Sequence, residues 1–219
     1  MVLAVKDWAK AVGINEARFS TISSYCLTLM VLHFLQAGVK DPVVPNLHQL
    51  HPDVFHPNSD IFDLPFNCDI EPSFKSQNKS SLGELILIIK VKEKCDMFCS
   101  SLFSYYFLFL FPINFTGELL FQFFEYYDSK FDFSNDVGSL RVGKILNVEI
   151  CHSYAKENKT SPGQWSAYIL MEEPFDRSNA GRAVVRRDKF DVILKEFNEA
   201  HKSLKKGINW KSLISSSKS

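Results

Sequence analysis

Apolar residues recur at helical spacing in several separate stretches of this chain. Val2, Val5, Trp8, Ala9 and Val12 fall on one face, which predicts a helix over residues 2–12 with Gly13 as its stop. A second helix is predicted over residues 21–37, capped by Ser20 or Thr21 and followed by Gly38. Its second half, Leu27 to Leu35, is apolar on nearly all sides and should be buried. Phe190, Ile193, Leu194, Phe197, His201 and Leu204 predict an amphipathic helix over residues 187–206, expected to end the ordered part. Residues 207–219 follow as a tail, with Ser215 to Ser219 expected to be disordered. The run Ala167-Tyr168-Ile169-Leu170-Met171 reads as a buried strand that Pro174 ends, because proline cannot donate to a ladder. Six of the nine prolines lie within residues 39–80, so that segment reads as irregular. The predicted class is mainly α with a small β component, α+β.

One stretch breaks the pattern. Met97 to Gly117 carries no charge, is crowded with Phe and Tyr, and its 21 residues are long enough to span a bilayer. Lys90, Lys92 and Lys94 precede it as a cytoplasmic flank would. A second reading accounts for more. Gly83-Glu84-Leu85 recurs as Gly117-Glu118-Leu119, and removing residues 83–116 joins Leu82 to Gly117. Counted from Leu82, apolar residues of the joined segment then fall at 0, 3, 4, 7, 8 and 11, an amphipathic helix stripe. Gly-Glu-Leu can be written GGT-GAG-TTA, which contains a splice-donor-like GTGAGT. Thr116-Gly117 can close a pyrimidine-rich ACAG acceptor. The expectation is that residues 83–116 are an anomalous insertion, a retained intron, and that the chain has no membrane partner.

Composition narrows the remaining choices. The chain has 219 residues, 46% of them apolar, and a formal net charge of zero. It therefore lacks the global basic field that holds nucleic acid, and no DNA partner is expected. The first residues, Met1 to Trp8, lack the apolar core of a signal peptide. Five cysteines at positions 26, 68, 95, 99 and 151 have irregular spacing, which suits free thiols in a reducing compartment. Cys95 and Cys99 have near-ligand spacing, but no second Cys/His pair answers them. His48, His51 and His56 read as loop histidines rather than a zinc site.

Candidate chemistry concentrates in Met171-Glu172-Glu173-Pro174-Phe175-Asp176-Arg177-Ser178-Asn179. Three carboxylates at a rigid strand end can present acceptors to the amino edge of a base; the plain alternative is a solvated acidic turn. Lys6 and Lys10, four apart on one helix face, can converge on a single anion. Ser23, Ser24 and Tyr25 lie near a helix N-terminus, where free amides and the dipole favour phosphate. A Ser hydroxyl can donate to that phosphate, and Tyr25 offers a flat face for a base.

Several blocks taken together resemble a known family. They are Val5-Lys6-Asp7-Trp8-Ala9-Lys10, Ile14-Asn15, Thr21-Ile22-Ser23-Ser24-Tyr25, Leu29 to Gln36 and Pro45-Asn46-Leu47. The joined Leu82-Gly117-Glu118-Leu119, then Phe123-Phe124-Glu125-Tyr126-Tyr127, Phe131-Asp132-Phe133 and Glu172-Glu173-Pro174-Phe175-Asp176 complete the set. In this order they resemble the central and poly(A) polymerase-associated regions of terminal RNA nucleotidyltransferases, in particular the cytoplasmic, germline-development type of poly(A) RNA polymerase. The likeness covers residues 1–82 and 117–206.

The resemblance implies the helical central domain of a nucleotidyltransferase, ATP as substrate, an RNA 3′ end as acceptor and a cytoplasmic setting. It assigns Lys6 and Lys10 to the triphosphate, Ser24 to a phosphate, Tyr25 to stacking on the base, and Glu173 and Asp176 to the nucleotide-recognition loop. Uridine-selective relatives often insert a His between the Ser and Asn of that loop. Here Ser178 runs directly into Asn179, which favours ATP over UTP. No RNA-recognition motif or basic run is visible, and the resemblance implies a separate RNA-binding protein partner. The family holds two metal ions, Mg2+ or Mn2+, with three carboxylates of an N-terminal catalytic domain that follows a Gly-Ser turn. No such Gly-Ser with an Asp-x-Asp pair occurs here, and Asp69 and Glu71 read as structural. The catalytic domain is thus expected to be absent and the chain alone inactive. Three alternatives remain: a non-catalytic nucleotide- or protein-binding fragment, a terminal uridylyltransferase, and a membrane-anchored protein using residues 97–117.

Overall fold

The first helix, α1 (Val2–Ala11), buries Val2, Val5, Trp8 and Ala9, the stripe its spacing predicts. Gly13 ends it at φ +74, and two bonds close the turn: Gly13 N donates to the Lys10 carbonyl at 3.2 Å and Ile14 N to that of Ala9 at 2.9 Å. A left-handed residue after a helix favours glycine because no Cβ meets the preceding turn. This computed structural model describes residues 1–55, 74–78, 117–208 and 210–216. The insertion expected at 83–116, Asp69, Glu71, His56, Cys68, Cys95 and Cys99 lie outside those residues.

Helix α2 (Ser24–His33) starts later than predicted. Its cap is Ser23, whose Oγ accepts from Cys26 N at 3.0 Å. Ser20 instead closes a short 3-10 turn (Ala17–Phe19) at φ 60, and the Thr21 hydroxyl is engaged by both main-chain groups of Glu16 at 2.8 Å. The chain continues into a π-type turn (Phe34–Gly38), and Cys26 through Gln36 is buried without interruption. A short helix, α3 (Leu47–Leu50), forms inside the segment read as irregular; the Asn46 side chain caps it by accepting from Gln49 N at 3.1 Å.

Helix α4 (Gly117–Glu125) and its π-type extension (Tyr126–Lys130) bury Leu119, Leu120, Phe123, Phe124 and Tyr127, which are positions 3, 4, 7, 8 and 11 of the joined stripe. Tyr126 is buried beside them. These rings build the core. Trp8 meets Phe124 edge-on at 4.6 Å and Phe197 at 5.0 Å, and the Tyr127 hydroxyl donates to the Met30 carbonyl at 2.8 Å. Fully burying one aromatic side chain contributes roughly 1.5–3 kcal/mol, so this cluster anchors α1, α2 and α4 together.

A small sheet flanks the helices. Strands β1 (Asp136–Ser139) and β2 (Lys144–Asn147) form an antiparallel hairpin with Val137 opposite Leu146. Strand β3 (Met171–Glu172) pairs parallel to β1, giving the order β2-β1-β3. The strand predicted over 167–171 is therefore shorter than its apolar run. Tyr168 N donates to Val184 at 2.9 Å and the Ile169 carbonyl accepts from the Asn179 side chain at 3.0 Å, so this stretch satisfies its backbone outside the ladder. Helix α5 (Val148–Glu157), capped by Asn147, covers a second small cluster of Val137, Cys151, Ala155, Trp165 and Leu170.

Helix α6 (Arg187–Lys205) matches its predicted stripe, burying Phe190, Ile193 and Phe197. The ordered part does not stop there. Helix α7 (Trp210–Ser216) follows, with Trp210 and Leu213 buried in the main core. Two apolar side chains spaced three apart are enough to dock one helical turn, which corrects the expected tail. Among the described residues no helix is long and apolar enough to cross a membrane.

Candidate nucleotide-binding site

The end of α1 and the start of α2 are stitched together by three bonds. Ile22 N donates to the Ile14 carbonyl at 3.0 Å, Asn15 Nδ2 to the Ile22 carbonyl at 2.9 Å, and Ser24 Oγ to Asn15 Oδ1 at 3.0 Å. The Ile22 carbonyl can only accept, so it fixes the Asn15 amide, and the amide oxygen then takes the Ser24 proton. Ser24 was expected to donate to a phosphate; it can do so only by exchanging Asn15 for the ligand. Lys6, half-buried, and Lys10, exposed, stand one turn apart on α1, the helix whose end leads into Asn15.

The acidic loop is a tight hairpin rather than a solvated turn. Glu173 N donates to the Ser178 carbonyl at 2.8 Å, Arg177 N to that of Glu173 at 3.1 Å, and Ala180 N to that of Met171 at 2.9 Å. Arg177 takes the left-handed conformation, φ 56, that turns the chain back. Gly181 then passes so close to the sheet that an added Cβ would lie 2.1 Å from the Ile169 carbonyl. The three carboxylates part company. Glu172 points into the fold, where the Ser139 hydroxyl donates to it and the Arg141 guanidinium lies 2.7 Å away. The expectation that it presents an acceptor to a base is corrected: its charge is spent on Arg141. Asp176 is exposed, with Oδ1 accepting from Ser178 N at 2.7 Å.

Glu173 makes the link between the two halves. Its Oε1 accepts from the Tyr25 hydroxyl at 2.7 Å, and its Oε2 accepts from the amides of Phe175 and Asp176, each at 2.7 Å. The residue is only 8% exposed. Burial pushes its carboxyl above the ordinary range, while the Tyr25 hydroxyl and the two amides hold it down. Tyr25 and Glu173, 148 positions apart in sequence, therefore lie side by side. Behind the loop, the Phe175 ring packs on His48 at 5.4 Å. His48 is buried in α3, not a loop histidine. Burial and then the Arg141 charge push its pKa down to about 4, against a weaker opposing contact from the Pro174 backbone. Over the outer side, the Arg177 guanidinium sits 4.4 Å above the Tyr154 ring.

Sequence reasoning passed over Arg141 and Gln164 and gave Asn15 and Asn179, though both stand in quoted blocks, no part in holding these groups in place. Their partners are backbone groups or distant side chains, and no spacing rule reports those. Among the described residues no three His, Cys, Asp or Glu side chains converge to hold a metal ion, so the donors present there do not fit a divalent site.

Residues 116–179 match the family model described as Cid1 family poly A polymerase. Over 207 residues, 93% of this chain, the sequence is 35% identical to poly(A) RNA polymerase gld-2 homolog A of Drosophila melanogaster, of which it covers 12%. The solved Cid1 poly(U) polymerase superposes with a TM-score of 0.65 at 30% identity, over 97% of this chain and 55% of that one. The GLD-2/RNP-8 complex gives 0.56 at 27% identity, over 97% of this chain and 52% of that one. The chain thus spans at most 55% of the length of these relatives. A helical core carrying this small sheet, a segment matching the Cid1 family model over residues 116–179 and relatives along nearly the whole sequence agree, and the chain is similar over most of its length to the Cid1-type nucleotidyltransferases and to the poly(A) RNA polymerases of the GLD2 kind.

Proposed function

We propose that this chain supplies the nucleotide-recognition part of a template-independent RNA adenylyltransferase, which adds AMP from ATP to RNA 3′ ends. The observation that carries the reading is the 2.7 Å bond between the Tyr25 hydroxyl and Glu173. It fixes an aromatic ring beside the loop that carries the exposed carboxylate of Asp176. The base stacks on Tyr25, and Asp176 accepts from the adenine amino group. Glu173, with its oxygens taken by Tyr25 and the loop amides, sets the ring and the loop rather than touching the base. Lys6 and Lys10 neutralise the triphosphate, and Ser24 passes its proton from Asn15 to a phosphate oxygen. Mg2+ or Mn2+ belongs to the complete protein, and the chain alone binds nucleotide without transferring it. The GLD-2/RNP-8 complex supports a protein partner, and the zero net charge suits one that makes the RNA contact.

Uridine addition is the second reading. The Cid1 poly(U) polymerase has the higher TM-score of the two structures, 0.65 against 0.56. Against it stand the 35% identity to a poly(A) RNA polymerase and the direct Ser178–Asn179 step. The test is Tyr25→Ala in the complete protein, with labelled ATP and UTP offered separately on an RNA primer. Loss of base stacking, roughly 1–3 kcal/mol, lowers kcat/KM for ATP by about 5- to 150-fold. Unchanged ATP kinetics with a stable fold contradict the reading, and a wild type that prefers UTP selects the second one.

A further inference from the structure

The acidic loop is fixed at two points. One is Glu173, held by Tyr25. The other is Asn179, which is fully buried and uses every polar group it has. Its side-chain Nδ2 donates to the carbonyls of Gln164 at 2.9 Å and Ile169 at 3.0 Å. Its Oδ1 accepts from Met171 N at 3.1 Å and Gly181 N at 2.8 Å. Its main-chain N–H donates to Gln164 Oε1 at 2.9 Å. Gln164 belongs to a 3-10 turn (Pro162–Ser166) outside the loop and is half-buried. Its side-chain oxygen is the outside group that receives the Asn179 amide on the return strand.

We propose that Gln164 and Asn179 form a positioning pair for nucleotide choice: Gln164 Oε1 sets where the return strand begins, and so where Asp176 stands relative to Tyr25. The inference rests on the reading of the site given above. Only residues 174–178 separate the two fixed points, and Asp176 is the middle one. Its carboxylate is also tied to that strand through Ser178 N at 2.7 Å. A short loop with both ends fixed places its centre; release of one end lets the centre move, and a hydrogen bond to a base tolerates only a few tenths of an ångström. Neither residue touches the nucleotide in this scheme.

The experiment uses the complete protein with Gln164→Met, which keeps the shape and removes the acceptor, Gln164→Ala as a second removal, and Gln164→Glu, which restores an acceptor. Each breaks or keeps one bond of a half-exposed side chain, so the fold is retained. The expected result for Met and Ala is a KM for ATP raised about five-fold, the equivalent of one hydrogen bond. The ATP-to-UTP preference falls alongside, while KM for the RNA primer is unchanged. Gln164→Glu returns both values to near wild type. A purely structural role lowers thermal stability without moving the ATP-to-UTP ratio, and that outcome overturns the proposal. So does a Glu variant that fails to restore ATP use. Wild-type protein that adds neither nucleotide overturns the site reading and this inference with it; wild-type adenylation with indifferent Gln164 variants overturns this inference alone.

Discussion

Replacing Tyr25 with Phe keeps the ring and deletes the bond to Glu173. That bond is 2.7 Å long, charge-assisted, and made to a carboxylate with 8% exposure. Such bonds contribute roughly 1.5–3 kcal/mol, and Oε2 keeps its two amides, so a loss of about 2 kcal/mol is expected. For a chain of this size that is a fall in Tm of roughly 4–8 °C. The loss should also depend on pH. Glu173 already titrates above the ordinary carboxyl range because of burial, and Tyr25 is the strongest of the groups opposing that rise. Without Tyr25 its pKa climbs further. A carboxyl whose folded pKa exceeds its unfolded one favours folding at low pH and costs stability as pH rises through the folded value. The Tyr25→Phe penalty should therefore be small near pH 4 and complete at pH 7.5. Urea denaturation of wild type, Tyr25→Phe, Glu173→Gln and the double variant at both pH values measures it. Equal penalties at the two pH values, or strictly additive effects in the cycle, would refute the reasoning.

Two further outcomes are expected. Burial pushes His33 and His48 down to about 4 from an ordinary value of 6.5. Both rings are favoured neutral in the folded state, so their contribution is complete above pH 6.5 and is lost as pH falls towards 4; at pH 5 the deficit is roughly 2 kcal/mol per ring. Urea midpoints at pH 7 and pH 5 show it, and His48→Phe should flatten part of the slope. Deleting residues 83–116 should preserve the fold and raise thermal stability, because Leu82 then extends the stripe buried at Leu119, Leu120, Phe123, Phe124 and Tyr127. Circular dichroism of the deleted form and sequencing of the mature transcript check this together; messages that mostly encode 83–116 contradict it.

The helices were legible because their burial is periodic. Trp8, Phe123 and Phe197 each sit on a stripe that can be counted from the sequence, and each is buried. The ends were less legible. Ser23 rather than Ser20 caps α2, since the Thr21 hydroxyl engages Glu16 and turns the chain three residues before the helix begins. The hairpin of β1 and β2 carries only short, mixed segments, Asp136–Ser139 and Lys144–Asn147, and gives no alternating pattern to read. The site divides in the same way. Tyr25, Glu173 and Asp176 stand in recognisable blocks, but the partition of charge among the carboxylates depends on Arg141, which is 31 positions from Glu172. His48 looked like a loop histidine because prolines surround it; burial against Phe175 is a tertiary fact with no local trace.

The Tyr25–Glu173 contact also bears on how the chain reaches its native state. Joining ends 148 positions apart pays a loop-closure cost that local helices never meet, so this contact is expected to form late in folding. ATP would then bind only molecules that have completed that last step. On the proposed reading, a hundredfold excess over Kd would add about 2.7 kcal/mol to the stability of the native state, and the nucleotide would serve as a latch on the finished fold as well as a reactant.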